Sequence, residues 1–394
     1  MSSLLLHNAR LVTPAGVVDQ AWLRISGSRI EAVEAGPWPV AEGPSRDLGG
    51  AFLAPGFIDM HVHGGGGASV VDGEPEQVRR SVAYHRAHGT TGLLLSLVTA
   101  PLARMEAAVR RIAILVEQKE PAVLGCHLEG PFLSRRRCGA QDPRFMLPPD
   151  PETLARLFET GRGCIRMVTV APEAPGALDL VRRTVAEGAV AAVGHTDASS
   201  DQVTAAIEAG ARVGTHLFNG MRPFNHRDPG PVGALLSDER VVCELINDGV
   251  HVAPEVVQIV FNAAPGRVAL ITDAIAAAGM PDGDYELGSL AVRVSEGRPA
   301  LREGGSLAGS TLTMDRAVRR TVQDSRQSLP TAVAAASKVP AQVLGLANWL
   351  GGVEVGKQAD LAVLGADLEL QAVVARGVWQ EAAGRGRPAD LLAE

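Results

Sequence analysis

From Phe52 onward the chain repeats one unit: a short apolar run, a polar loop, and a stretch with one polar face and good helix formers. Apolar runs of four to eight residues bounded by Gly or Pro read as buried strands. Strands that alternate with helical patterns pair in parallel, with the helices as crossovers. Eight strands are expected, at Phe57 to His61, Gly92 to Val98, Ala122 to Leu128, Ile165 to Val170, Val190 to Gly194, Val213 to Leu217, Val242 to Ile246 and Val268 to Thr272. Helices are expected at Glu76 to His88, Leu102 to Gln118, Leu178 to Glu187, Gln202 to Ala209 and Pro254 to Ala263, and Ser199 with Gln202 matches a capping box. Eight such units point to a (β/α)8 barrel, whose active site gathers at the C-terminal ends of the strands.

The two ends of the chain follow other patterns. Residues 4 to 35 alternate apolar and polar positions, with turn signals at Pro14-Ala15-Gly16 and Gly27-Ser28, which predicts antiparallel strands. After the eighth strand, residues 279 to 310 are Gly-rich and polar, and two alanine-rich helices are expected from about Met314 to Leu346. The tail from Gly356 to Trp379 returns to short strands. A strand pair that small is not stable by itself, so it is expected to join the N-terminal strands. The expected fold class is α/β: a TIM-like (β/α)8 barrel over residues 53 to 352, with a small β-sandwich domain formed by both termini, 1 to 52 and 353 to 394.

At 394 residues and 46% apolar content the chain can bury a large core. Its net charge of -7 comes from 37 basic and 44 acidic residues spread along the sequence, which gives neither a nucleic-acid patch nor a basic membrane face. No stretch approaches the roughly 18 uninterrupted apolar residues of a membrane span, and the start lacks a basic leader, so a cytoplasmic protein is expected. The cysteines Cys126, Cys138, Cys164 and Cys243 form no C-x-x-C pair, which argues against a zinc knuckle or a disulfide framework.

Six residues able to hold a metal or carry a proton sit at or just beyond the ends of the apolar runs: His61, His63, Glu129, His195, His216 and Asp273. In His61-Val62-His63 the alternation of a strand puts both imidazoles on one side, where two nitrogens can converge on one cation; zinc favours such ligands. Glu129 ends the third run with a carboxylate, which is costly to bury without a cation or donors. His195 and His216 follow the fifth and sixth runs in the same way. Asp273 ends the eighth and stands beside the first once the barrel closes, where a carboxylate can take a proton from an activated water and pass it on. Together they describe a metallo-hydrolase barrel with a divalent cation, zinc first. The Gly64 to Gly67 run lacks the Gly-Lys-Ser/Thr ending of a nucleotide loop, and is expected as a tight turn over the metals. Cys138 follows Arg135-Arg136-Arg137 and is expected as an inert loop cysteine, an exposed and modifiable thiol at the mouth of the site being the lesser reading.

These pieces resemble a known family. His61-x-His63, His-Leu-Glu-Gly-Pro-Phe, Gly-His-Thr-Asp-Ala, Thr-His-Leu-Phe-Asn-Gly-Met, Asn-Asp-Gly-Val-His and Ile-Thr-Asp-Ala are similar to the amidohydrolase superfamily and, within it, the N-acetylglucosamine-6-phosphate deacetylase family. The resemblance extends to Gly-Gly-Ser-Leu-Ala-Gly-Ser-Thr-Leu-Thr-Met and Val-Gly-Lys-Gln-Ala-Asp-Leu, and so covers nearly the whole chain. It implies hydrolysis of N-acetylglucosamine 6-phosphate to acetate and glucosamine 6-phosphate, in amino-sugar catabolism or cell-wall recycling. It further implies that Glu129, His195 and His216 form the common metal site, that His61 and His63 add a second ion where they are kept, and that Asp273 is base and then acid.

By the same resemblance Arg227 and His251 match substrate positions, Arg227 at the sugar phosphate, which suits a guanidinium that can bind two oxygens at once. Asn219, Gly220, Ala140, Gln141, Leu307, Ala308 and Gly309 are the other contacts carried over. Gln141 departs from the pattern, since some members have a histidine there that reaches the phosphate of a neighbouring subunit's substrate; Arg135-Arg136-Arg137 is expected as a solvated charge run, replacement of that charge being the lesser reading. A homodimer is implied by resemblance alone. The alternatives are a deacetylase of another N-acetylated sugar phosphate, such as N-acetylgalactosamine 6-phosphate, and a non-catalytic metal-binding protein, which would usually have lost Asp273 or a ligand. A cyclic-amide hydrolase is disfavoured: it would want a lysine after the fourth strand, where Ala171-Pro172-Glu173 stands, and the lysines of this chain are Lys119, Lys338 and Lys357.

Overall fold

The computed structural model describes residues 3–38 and 43–382. Eight parallel strands pair side by side in chain order: β1 (Phe57–Val62), β2 (Thr90–Val98), β3 (Val123–Glu129), β4 (Ile165–Val170), β5 (Val190–Val193), β6 (Val213–Gly214), β7 (Val242–Ile246) and β8 (Val268–Ile271). The ring closes between the last strand and the first, where Ala274 bridges Val62 and the Asp273 N–H donates to the His61 carbonyl at 2.9 Å. Every residue of β1 and β2 is buried. Strands enclosed on both faces lose the alternation of a half-exposed sheet, which is why each of the eight reads as a continuous run.

The five expected crossover helices form, at Pro75–Ala87, Leu102–Glu117, Ala177–Ala186, Ser200–Glu208 and Pro254–Ala263. In Leu102–Glu117, Met105, Ala108, Val109, Ile112 and Ala113 are buried at helical spacing, the apolar stripe of a helix laid on a core. Ser199 and Gln202 make the expected reciprocal cap. Two further helices, Pro151–Gly161 and Gly230–Ser237, lie outside the expected set. The first carries its own start signal, with Asp150 accepting from the Glu152 and Thr153 amides. The second has too few polar residues to show a polar face.

The Gly-rich stretch after β8 holds more structure than its composition suggests. It folds as a three-stranded antiparallel sheet, Gly283–Leu287, Leu290–Ser295 and Arg298–Leu301. Val292 and Val294 alternate inward with exposed neighbours on the central strand, a period-two signal too short to stand out among glycines. The region expected as two helices holds three, Met314–Gln323, Leu329–Ala336 and Lys338–Val343, because the backbone at Ser337 leaves the helical path.

Both termini build one eight-stranded sheet. Its central strand, Phe52–Pro55, pairs in parallel with Ser3–Thr13 and antiparallel with Leu361–Leu364, so Leu53 faces Leu11 on one side and Val363 on the other. Leu6, Leu23, Ile25, Leu361 and Val374 fill the core beneath it. Residues 1–2, 39–42 and 383–394, which belong to the expected terminal unit, lie outside the described residues.

Candidate active site

The strand ends deliver all six candidate residues to one place. His61 lies in β1 and His63 just past it, Glu129 closes β3, and His195, His216 and Asp273 each lie two residues past the ends of β5, β6 and β8. All six are buried, and even Asp273, the most open, is 8% exposed. His195, His216 and Asp273 have φ of 44°, 28° and 50°, a left-handed backbone that residues with a Cβ rarely adopt and that gathers at functional sites. The surrounding backbone holds them there: Thr196 N–H donates to Gly220 O at 2.9 Å, and Ser310 N–H to Asp273 O at 2.8 Å.

Glu129 stands between two groups of ligand atoms. Its Oε1 lies 2.8 Å from His216 Nε2 and 3.0 Å from His195 Nε2, while its Oε2 lies 3.1 Å from His63 Nε2. Asp273 Oδ1 is 3.2 Å from His63 Nε2 and 3.6 Å from His61 Nε2. His61, His63 and Asp273 form one compact cluster, and Glu129, His195 and His216 form the other.

The rings are aimed from behind. His61 Nδ1 meets Glu244 Oε2 at 3.2 Å, His63 Nδ1 meets Ser96 O at 3.1 Å, and His195 Nδ1 meets Arg137 O at 2.8 Å. A carbonyl or carboxylate oxygen only accepts, so each Nδ1 carries a hydrogen and each Nε2 faces the centre, where a cation would displace its proton. Paired Nε2 atoms then face each other at 3.1 Å, both for His61 with His63 and for His195 with His216. Two nitrogens each about 2.0–2.1 Å from a tetrahedral zinc stand about 3.3 Å apart, so the spacing suits a shared cation.

Electrostatics agree. Burial opposes charge on His61, His63 and His195, yet Glu129 and Asp273 outweigh it, holding His61 well above its usual range, His63 up at about 9 and His195 raised. Burial would raise Glu129 and Asp273, and the imidazoles beside them hold both low. A centre that favours positive charge, ringed by imidazole and carboxylate donors, fits a divalent cation.

A second layer was not marked by the sequence. Glu244 in β7 and Asp59 in β1 are fully buried carboxylates inside strands, not at their ends. Asp59 accepts from the His61 amide at 3.1 Å and the Thr272 hydroxyl at 2.5 Å, tying β1 to β8. His127, beneath the site, has both ring nitrogens engaged by Ser96 and Thr169, and burial with the positive rings nearby pushes it well below its usual value. The one visible signal for these residues is a charge inside an apolar run.

Above the ligands opens a cavity of about 320 Å³. Its lining includes His63, Glu129, His195, His216 and Asp273 together with Ala140, Gln141, Asn219, Gly220, His251, Leu307 and Gly309; Val98, Gly139, Leu287 and Ser306 join them without having been expected. His61 and Ala308 are fully buried and do not line the cavity. His251 is held by Asp248, which accepts from Nδ1 at 2.8 Å. Gly139 and Gly220 pack on the His195 ring, and a Cβ at Gly220 would stand 2.7 Å from Nδ1.

Three expectations change character. Gln141, 3% exposed, donates to Glu129 Oε2 at 2.6 Å and accepts from the Thr99 amide at 2.6 Å, so both ends of its amide are engaged within its own subunit. Arg227 lies on the exposed 222–228 loop and is absent from the cavity lining. Arg136 and Arg137 pair with Asp197 at 3.3 and 2.8 Å, which commits that charge to bracing the loop after β5. The glycine run forms the expected tight turn, Gly64–Gly65 pairing with Ala68–Ser69. Cys126, Cys164 and Cys243 are buried and Cys138 partly so, and all four are free thiols.

Comparison with known proteins places this site in a family. Residues 52–380 match the amidohydrolase family model. An N-acetylgalactosamine-6-phosphate deacetylase from Escherichia coli O157:H7 is 38% identical over 374 residues, covering 94% of this chain and 98% of that protein. An N-acetylglucosamine-6-phosphate deacetylase from Bacillus subtilis is 34% identical over 384 residues, covering 95% and 96%. A solved structure of a mutant N-acetyl-D-glucosamine-6-phosphate deacetylase from Mycobacterium smegmatis, in complex with N-acetyl-D-glucosamine-6-phosphate, superposes with a TM-score of 0.92 at 44% identity, covering 96% of this chain and 99% of that one. The chain belongs to the amidohydrolase family.

Proposed function

We propose that this enzyme hydrolyses the acetamide of N-acetyl-D-glucosamine 6-phosphate, releasing acetate and D-glucosamine 6-phosphate. The observation that carries the reading is the Asp273 carboxylate, 3.2 Å from His63 Nε2 and 3.6 Å from His61 Nε2, at the floor of a cavity that Glu129, His195 and His216 also line. The Bacillus subtilis relative and the substrate complex of the Mycobacterium smegmatis enzyme support the gluco epimer. The galacto epimer, named for the Escherichia coli relative, is the second substrate to assay.

Glu129, His195 and His216 would hold one divalent ion, zinc in this reading, and His61 and His63 a second, with Glu129 reaching both groups. When bound there, a divalent cation supplies Lewis acidity, acidifying water and polarising an amide carbonyl. Asp273, held ionised by its imidazole neighbours despite burial, takes the proton from the attacking water as the C–O bond forms. It returns that proton to the sugar nitrogen as the C–N bond breaks, so the departing group leaves as a neutral amine. His251, fixed by Asp248, and Asn219 at the cavity wall hold the sugar, with the backbone of Ala140 and of Leu307 to Gly309 shaping the pocket around it.

Arg227 supplies the guanidinium for the phosphate. Because it lies outside its own cavity lining, either the 222–228 loop folds inward or a dimer partner lends its copy. Residues 56 to 352 act as the catalytic barrel, with the terminal sheet, which extends to Pro55, as its structural companion. No helix among the described residues is long and apolar enough to cross a membrane, and a phosphorylated substrate suits a cytoplasmic setting.

The test is acetate release from N-acetylglucosamine 6-phosphate, its galacto epimer and unphosphorylated N-acetylglucosamine, using chelator-treated protein with zinc, manganese or cobalt restored. Metal-dependent turnover of the phosphorylated gluco sugar is expected to dominate. No acetate from any of the three by metal-loaded protein would refute the reading.

A further inference from the structure

Behind the cavity floor, one buried carboxylate is tied to both groups of candidate ligands. Glu244 projects from β7 into the barrel and is 0% exposed. Its Oε2 meets His61 Nδ1 at 3.2 Å and accepts from the His216 amide at 3.3 Å, while its own carbonyl accepts from the Leu217 amide at 2.9 Å. Oε1 has no partner. Interior positions of such barrels are ordinarily branched apolar residues, and an ionised group there is costly unless it is hydrogen-bonded. A carboxylate kept at this place therefore calls for a role.

Among the described residues no other group contacts His61 Nδ1. Asp59 accepts from the His61 backbone amide, not from the imidazole. The ring of His127, 4.6 Å away edge-on, is engaged by Ser96 and Thr169. Glu129 and Asp273 lie on the Nε2 side. Glu244 alone thus sets which nitrogen of His61 carries the hydrogen.

We propose that Glu244 is a positioning residue for the cation group of His61, His63 and Asp273: it fixes His61 as the Nδ1–H tautomer with Nε2 aimed at the centre, and its grip on the His216 amide sets the spacing to the Glu129, His195 and His216 group. The proposal rests on reading those six residues as metal ligands. Carboxylates behind metal-bound histidines act in this way generally, and their loss commonly lowers metal affinity about 10- to 100-fold.

The experiment is equilibrium dialysis of chelator-treated full-length protein against zinc, comparing wild type with Glu244→Leu, Glu244→Gln and His61→Ala, with melting temperatures of the metal-free forms recorded in parallel. Wild type is expected to take up two equivalents. Glu244→Leu is expected to bind one equivalent normally and the other about 10- to 100-fold more weakly, matching His61→Ala, with Glu244→Gln in between because its amide oxygen still accepts. Two unperturbed equivalents in Glu244→Leu would overturn the proposal, as would equal weakening of both equivalents in every variant. If Glu244→Leu does not fold, the Gln variant decides by the same comparison. If wild type takes up a single equivalent, the two-ion reading fails on its own account. Glu244 is then judged from spectra of ¹⁵N-labelled histidine, where a His61 Nδ1–H signal lost in Glu244→Leu or shifted in Glu244→Gln supports it and a signal unchanged in both refutes it.

Discussion

Gln141 Nε2 lies 2.6 Å from Glu129 Oε2, so the loop after β3 turns back to brace the carboxylate that stands between the two ligand groups. Gln141→Ala is expected to lower zinc affinity about 10-fold or more and kcat with it, leaving the preference for a phosphorylated sugar intact. A rise in KM for the phosphorylated sugar alone, with zinc affinity unchanged, would return Gln141 to the role of a phosphate contact.

Asp273→Asn removes the proton carrier while keeping size and shape. Turnover is expected to fall about 10²- to 10⁴-fold, with the zinc equivalent of the Glu129, His195 and His216 group retained by elemental analysis. Retention of more than a tenth of the activity would show that another group moves the proton.

Gly220 has φ of 56° and would bring a Cβ to 2.7 Å from His195 Nδ1. Gly220→Ala should therefore cost about 1 kcal/mol or more in stability and displace the His195 ring. Chemical denaturation together with zinc content checks both, and a variant that matches wild type in each would show that the loop yields without disturbing the ring.

Arg227 is exposed and lies away from its own cavity lining. If a partner's arginine serves each site, mixing the inactive Asp273→Asn and Arg227→Ala proteins, unfolded and refolded together, restores activity. In a random two-fold dimer roughly a quarter of the sites would then be complete. No restoration would mean that the loop closes on its own subunit.

Asp315 links the helix Met314–Gln323 to His88, whose Nδ1 lies 3.3 Å from its carboxylate. Burial alone would raise the Asp315 carboxyl, but the hydrogen bond and the attraction of His88 hold it below 3.8. A folded value below the unfolded one means that the stabilisation is present above about pH 4 and is lost as pH falls through the folded value. The difference in urea midpoint between wild type and Asp315→Asn is expected to shrink from about pH 6 to about pH 3. A constant difference would show that the carboxylate charge contributes nothing.

The barrel was legible because enclosure on both faces erases alternation, so each strand announced itself as an uninterrupted run. The six residues at the run ends were legible for a related reason, since a polar group where a buried strand stops has to face the barrel mouth. Glu244 and Asp59 escaped because they sit within runs, where a single charge looks like an interruption. The left-handed turns at His195, His216 and Asp273 left no mark either; glycine would have flagged such a backbone, whereas His and Asp do not. The hairpins between 283 and 301 were masked by glycines. Gln141 and Arg227 were matched by position, and only packing revealed that one faces inward and the other stands outside the cavity lining.

Closure of the ring between β8 and β1 has a bearing on biosynthesis. Asp273 joins His61 only through the last strand of the barrel, its amide bonded to the His61 carbonyl. A nascent chain that has exposed both N-terminal histidines still lacks the third member of that group until β8 has left the ribosome and docked. Assembly of His61, His63 and Asp273 into one group is therefore expected late in synthesis, and zinc uptake by stalled nascent chains of increasing length would report on a completed barrel.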